Sequence, residues 1–294
     1  MKSLRIGLKQ ADRLASMPTD DRRAFISEGL TIIYTSAISF WEGARLLSSR
    51  TREADVLEEY ATEEAAKILI LLDVFRAPPG RHGDVLRQQL KRFYSHHDRL
   101  IYAEAVKWKP MHRAQLQEYL DHTRRSHTLD GPAGEFILPN GPVFERERKL
   151  YADVIAYEDR AIHWNDPVGS GAAKGTLPFF DHPPAIVSLI ISMSRIGLLT
   201  VEGVKAIEET WGKVDFMDTD GAVLARDLSH QTLIELEKSG KIPQDAQPND
   251  VWQVKDAWPF PMWSMDLKKL DVPLAEMEEE RDRGRWSEYS DPGY

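Results

Sequence analysis

The chain contains no cysteine. Disulfides and thiolate metal sites are therefore excluded, and a cytoplasmic setting is the expectation. Nothing apolar approaches the roughly 18 residues that cross a bilayer. The longest candidates, residues 67–75 and 185–199, are too short or too polar. Met1, Lys2 and Arg5 are followed by no apolar stretch and no small-residue cleavage site, so no secretion signal and no membrane association are expected. There is no Gly-x-Ser-x-Gly elbow for a serine nucleophile, no pair of Glu-x-x-His motifs for a di-metal carboxylate bundle, and no internal repeat. Excess positive charge is missing too. A net charge of −9 and a pI near 5.5 argue against a protein that holds nucleic acid by bulk attraction.

What is present describes a globular protein. With 294 residues, 42% hydrophobic and 29% charged, the chain can bury a sizeable core in one large domain or two smaller ones. Its charge is uneven. Basic side chains from Arg76 to Arg125 are interleaved with His82, His96, His97, His112 and His122, whereas residues 276–280 are strongly acidic. A local basic surface on an acidic molecule is one reading; basic stems solvating helix faces is the other.

Helical periodicity dominates residues 1–127. Thr19 or Asp20 can cap a helix running to Leu47, and Thr51 a second that ends at Pro78-Pro79-Gly80. A third is expected from about Gly83 to Lys107 and a fourth from His112 to Arg125, joined by short connections as an up-and-down bundle. Residues 128–183 read as an insertion. Phe136-Ile137-Leu138 and Val143-Phe144 flank Asn140-Gly141 like a short hairpin, residues 144–149 are an exposed charged run, and Gly169 to Gly175 resembles a linker. Helices return over residues 184–242, completing or flanking the bundle. Residues 243–294 form an extended Pro/Trp-rich acidic arm whose Trp252, Trp258 and Trp263 need a surface to cover, with mobile final residues. The fold class is mainly α, with a small β-containing insertion and a C-terminal helical and extended region.

The chemistry-bearing residues fall on two neighbouring helices. Glu63-Glu64-Ala65-Ala66-Lys67 lies on the second and Arg92-Phe93-Tyr94-Ser95-His96-His97-Asp98-Arg99 on the third. The spacing Arg-x4-6-His occurs at Arg92/His97 and at Arg76/His82, about as often as chance gives, so it means little alone. On one straight helix Arg92 and His97 lie about 140° apart, whereas Arg92, His96 and Arg99 share a face. His97 falls on the apolar stripe, as a core histidine would. Glu63 and Lys67, at i and i+4, have the spacing of an ordinary helix ion pair, and Glu64 points elsewhere. Imidazole, guanidinium and carboxylate brought together can move the protons of a ribose 2′-hydroxyl and steady a charged phosphate without any metal or cofactor.

These residues carry a resemblance. The stretch Tyr60 to Leu69 is similar to the E-E-x-x-K helix of HEPN-type proteins. Phe93-Tyr94-Ser95-His96-His97-Asp98-Arg99-Leu100 resembles the F-x-x-H-x-x-K-L element of the AbiV group, linked to abortive phage infection. Leu150-Tyr151-Ala152-Asp153 and Trp164-Asn165-Asp166-Pro167 resemble its L-Y-V-D and W-x-x-P signals. The resemblance spans residues 30–167. It implies a HEPN-like bundle acting as a metal-independent endoribonuclease or growth-arresting toxin in phage defence, as a cytoplasmic homodimer with a shared cleft. RNA is the implied substrate, and an antitoxin or phage-encoded protein an implied partner. Arg92, His96 and His97 are the implied catalytic residues, supported by Glu63, Glu64, Lys67 and Arg99. Phe93 departs from the pattern, since many active members carry a polar residue there. The rival reading is a non-catalytic helical module that binds a partner protein or nucleic acid.

Overall fold

The computed structural model describes residues 8–47, 51–131, 134, 136–156, 162–165, 167, 182–216, 221–240, 242–243, 246–258 and 260–289. The first six helices are α1 (Leu8–Ser16), α2 (Thr19–Leu46), α3 (Thr51–Phe75), α4 (His82–Tyr94), α5 (His96–Ala105) and α6 (Arg113–Thr123). Strands β1 (His127–Asp130) and β2 (Phe136–Pro139) precede α7 (Gly141–Leu150), and β3 (Asp153–Ala156) and β4 (Ile162–Asn165) follow it. Then come α8 (Ala185–Arg195), α9 (Val201–Trp211), α10 (Ala222–Lys238), α11 (Pro248–Ala257) and α12 (Leu274–Tyr289). The protein is mainly α, with two small antiparallel ribbons, β1 with β2 and β3 with β4. Among the described residues no helix is long and apolar enough to cross a membrane.

The run from Ala65 to Phe75 is apolar on nearly every side of a helix, and such a helix must be central. α3 packs against α2, α4, α5, α8 and α9, and Ile68, Leu69, Ile70, Leu72 and Phe75 are fully buried. Each large side chain removed from water there contributes about 1.5–3 kcal/mol. The same core takes in Ile190 and Met193 of α8, Trp211 of α9, Leu236 of α10, and Met262 and Leu267 beyond α11. Side chains of α8, α9 and α10 thus share one core with α3.

Three local expectations are corrected. The third helix is broken: Ser95 is extended (φ −91°, ψ 119°), ends α4, and caps α5 by accepting the Asp98 N–H on its hydroxyl at 3.2 Å. Serine and aspartate compete with helix-interior bonding and favour such caps. The Asn140-Gly141 hairpin does not form either. β2 pairs backward with β1, Leu138 opposite Thr128, and Asn140 caps α7 with Pro142 in the first turn. The Asn140 amide donates to the carbonyls of Thr123 (2.8 Å) and Arg125 (2.7 Å). Finally, the C-terminal arm is extended only in part. Residues 260–270 lie across the bundle, joined to it by Ser126 N–H to Leu270 O at 2.7 Å, but α11 and α12 are helices. Trp258 and Trp263 are buried and Trp252 is exposed. The glycine-rich stretch 169–175 lies outside the described residues.

Candidate functional site

Glu63 stands on the face of α3 that meets α5 and α7, and only 2% of it is exposed. A carboxylate this deep is tolerable only with charge-assisted partners on both oxygens. It has them. Oε1 accepts from Arg146 Nε of α7 at 2.6 Å; Oε2 accepts from Arg99 Nη1 at 2.8 Å and from His96 Nδ1 at 2.6 Å. His96 opens α5 and Arg99 follows it by three residues on the same side. Burial pulls the Arg146 guanidinium down, but hydrogen bonding and the charge of Glu63 outweigh it and hold it above its ordinary value. The His96 side chain is 54% exposed, whereas that of Arg99 is 11% exposed. His96 donates its Nδ1–H to Glu63, and its Nε2 has no partner among the described residues.

Arg92 belongs to a different network. It is 4% exposed and donates to Gln89 Oε1 (3.0 Å), Met262 O (2.8 Å) and Met265 O (2.5 Å). Next to it, buried Asp73 accepts from Arg76 (3.1 Å), Tyr102 hydroxyl (2.8 Å) and Met262 N–H (2.8 Å). Burial raises the Asp73 carboxyl against the opposing pull of Arg76, and raises the Tyr102 hydroxyl well above its usual value. The Arg76 guanidinium lies over the rings of Trp211 (3.9 Å) and Trp258 (4.5 Å), and burial lowers it to about 10. These bonds fasten residues 262–265 to α3 and α4.

The structure thus brings Glu63, His96 and Arg99 together and leaves the other candidates elsewhere. Arg92 and His96 do not share a face, because the break at Ser95 resets the helical phase between them. His97 Nδ1 bonds Asp98 at 3.2 Å, and its Nε2 is buried with no partner among the described residues. Lys67 pairs with Glu64 and not with Glu63, and sits 5.2 Å from the Phe93 ring centroid. Two residues escape the sequence reading. Arg146 sits in the run taken as exposed, and its signal was its place one turn after the Asn140-Gly141-Pro142 helix start. Asp73 is a lone acid inside the apolar run 68–75.

A cavity of about 510 Å³ opens between α3, α5, α6, α7 and α8, with Thr62, Leu100, His122 and Lys149 in its lining and none of Glu63, His96, Arg99 or Arg146. No group of three or more His, Asp or Glu that could hold a metal ion occurs among the described residues. Compared with known proteins, the chain matches no family model, no curated protein and no solved structure.

Proposed function

We propose that the protein is a metal-independent endoribonuclease of HEPN type that acts as a growth-arresting toxin in phage defence. The observation that carries the reading is the His96–Glu63 pair: a buried carboxylate orients a half-exposed imidazole through Nδ1 and leaves Nε2 without a partner among the described residues. Such a group is suited to take the proton of a ribose 2′-hydroxyl as that oxygen attacks the adjacent phosphorus. The 5′-oxygen then leaves and a 2′,3′-cyclic phosphate remains. Arg99, held by the same carboxylate, is the nearest guanidinium on α5 for the crowded phosphate. Leaving-group protonation calls for a second imidazole, which a homodimer with a shared cleft would supply. Arg92 acts in this reading as a brace for residues 262–265.

The test is RNA incubated with the full-length protein in the presence of a chelator. Cleavage that leaves cyclic phosphate ends, and is lost in His96→Ala, supports the reading; equal cleavage by His96→Ala sinks it. A second reading, a non-catalytic module for a partner protein or nucleic acid, is favoured by the net charge of −9 and by Arg99 and Arg146 both being spent on Glu63. Tight binding of intact RNA, with none cut, would select it.

A further inference from the structure

The cations on the helices that hold Glu63 are already paired. Arg99 and Arg146 bond Glu63 itself, Lys67 pairs with Glu64, and Lys149 pairs with Glu59 at 3.0 Å. On a chain of net charge −9, little attraction is then left for a run of phosphates. Affinity for RNA at this site has to come from contacts that do not depend on charge, and the flat faces of the bases are the surface a strand offers for them.

Two tyrosines beside the cluster present matching faces. Tyr60 precedes Glu63 by three residues on α3, and positions i and i+3 are neighbours on one side of a helix. Its ring is backed by that of Phe40 of α2, with centroids 5.4 Å apart, and the residue is still 38% exposed. Tyr151 ends α7, five residues after Arg146, and is 56% exposed. Its backbone is fixed from both sides: the N–H donates to Glu147 O at 2.9 Å, and the carbonyl accepts from the Asn165 amide at 2.8 Å. Both tyrosines are close enough to the Arg146 guanidinium to act on its charge. Arg146 is one hydrogen bond from Glu63 Oε1, and His96 is one from Oε2. The tyrosines thus stand on the other side of the carboxylate that orients the imidazole.

We propose that Tyr60 and Tyr151 are the base-stacking platform of this site, holding an unpaired base next to the scissile phosphodiester; the proposal rests on the ribonuclease reading. Every base has a π face, so the rings grip the strand without reading its sequence. A base inside a duplex is already stacked between neighbours, so the platform favours single-stranded RNA.

The experiment measures, by fluorescence anisotropy, the affinity of the full-length protein for two short labelled strands of equal length. One has 2′-O-methyl riboses and all its bases, so that no 2′-hydroxyl is available to attack; the other has the same backbone without bases. The parent protein should bind the base-bearing strand about tenfold more tightly, with a shallow dependence on salt. Tyr151→Leu keeps apolar bulk and removes the flat ring, so it should bring the two affinities together, and Tyr151→Trp should restore the difference. Neither should shift the melting curve, because more than half of this residue is exposed. Tyr60→Leu should act in the same way; should it unfold through the lost Phe40 contact, the Tyr151 variants decide alone. Equal affinity of the parent for both strands, binding of neither, or a base preference unchanged in Tyr151→Leu overturns the platform. The two readings fail separately: a tyrosine-dependent base preference in a protein that leaves unmodified RNA uncut keeps the platform and removes the ribonuclease, whereas cleavage without any base preference does the reverse.

Discussion

Arg92 and His96 are four residues apart in the chain and bind different partners: the Arg92 guanidinium holds the carbonyls of Met262 and Met265, and the His96 imidazole is held by Glu63. The extended Ser95 between them separates a brace from a candidate catalytic group.

Arg92→Ala should cost about 3–5 kcal/mol of stability, because the substitution strands buried carbonyls and removes a charge beside Asp73. Urea unfolding of the full chain measures it. Arg92→Lys should recover part of the loss, since an ammonium keeps the charge without the planar fork. A fully stable Arg92→Ala protein that no longer cuts RNA would return this arginine to the reaction.

Glu63→Gln and His96→Ala should separate structure from chemistry. The first leaves Arg99 and Arg146 buried beside a neutral amide, and a loss of about 3–5 kcal/mol follows. The second removes a half-exposed ring and should cost under about 1 kcal/mol. Cleavage by His96→Ala should nonetheless fall by about 100-fold or more. Paired melting curves and initial rates on one RNA decide the matter.

His82 gives the fold a pH dependence. Burial lowers its pKa from the ordinary 6.5, outweighing the Ala77 carbonyl and Glu208, while Arg22 and Arg23 push the same way as burial. The folded state therefore binds fewer protons than the unfolded chain below that value. Stability present above about pH 6.5 is lost as the pH falls toward the lowered folded value. Melting temperatures between pH 5 and 7.5 should decline at the acid end. His82→Gln, which can still donate to Ala77 O, should show a flatter profile over that window.

Asn140→Ala tests how α7 is anchored. The change deletes a helix cap, worth about 1 kcal/mol, and leaves the carbonyls of Thr123 and Arg125 without their donor, at about 1–3 kcal/mol more. Amide exchange should accelerate first in α7, and the Arg146–Glu63 contact should weaken with it. Unchanged protection across α7 would show that the helix is held by other contacts.

Much of the architecture was legible from one-dimensional pattern. Periodicity marked α2, α3 and α6, and Pro78-Pro79-Gly80 the break after α3, because periodicity and chain breaks are local properties. Glu63, His96 and Arg99 could be named as members of one group. Arg146 could not, since an arginine in a charged run looks the same whether it meets water or a carboxylate 83 residues away.

By itself the sequence determined that this is a mainly helical protein without cysteine chemistry, and that acid, base and imidazole groups sit on neighbouring helices. The tertiary structure alone decided how they are shared out. Serine at 95 can continue a helix or cap a new one, and Asn140-Gly141 can turn a hairpin or start a helix, at nearly equal local cost. Long-range bonds break such ties: residues 262–265 claimed Arg92, Thr123 and Arg125 claimed Asn140, and buried Glu63 claimed Arg99 and Arg146.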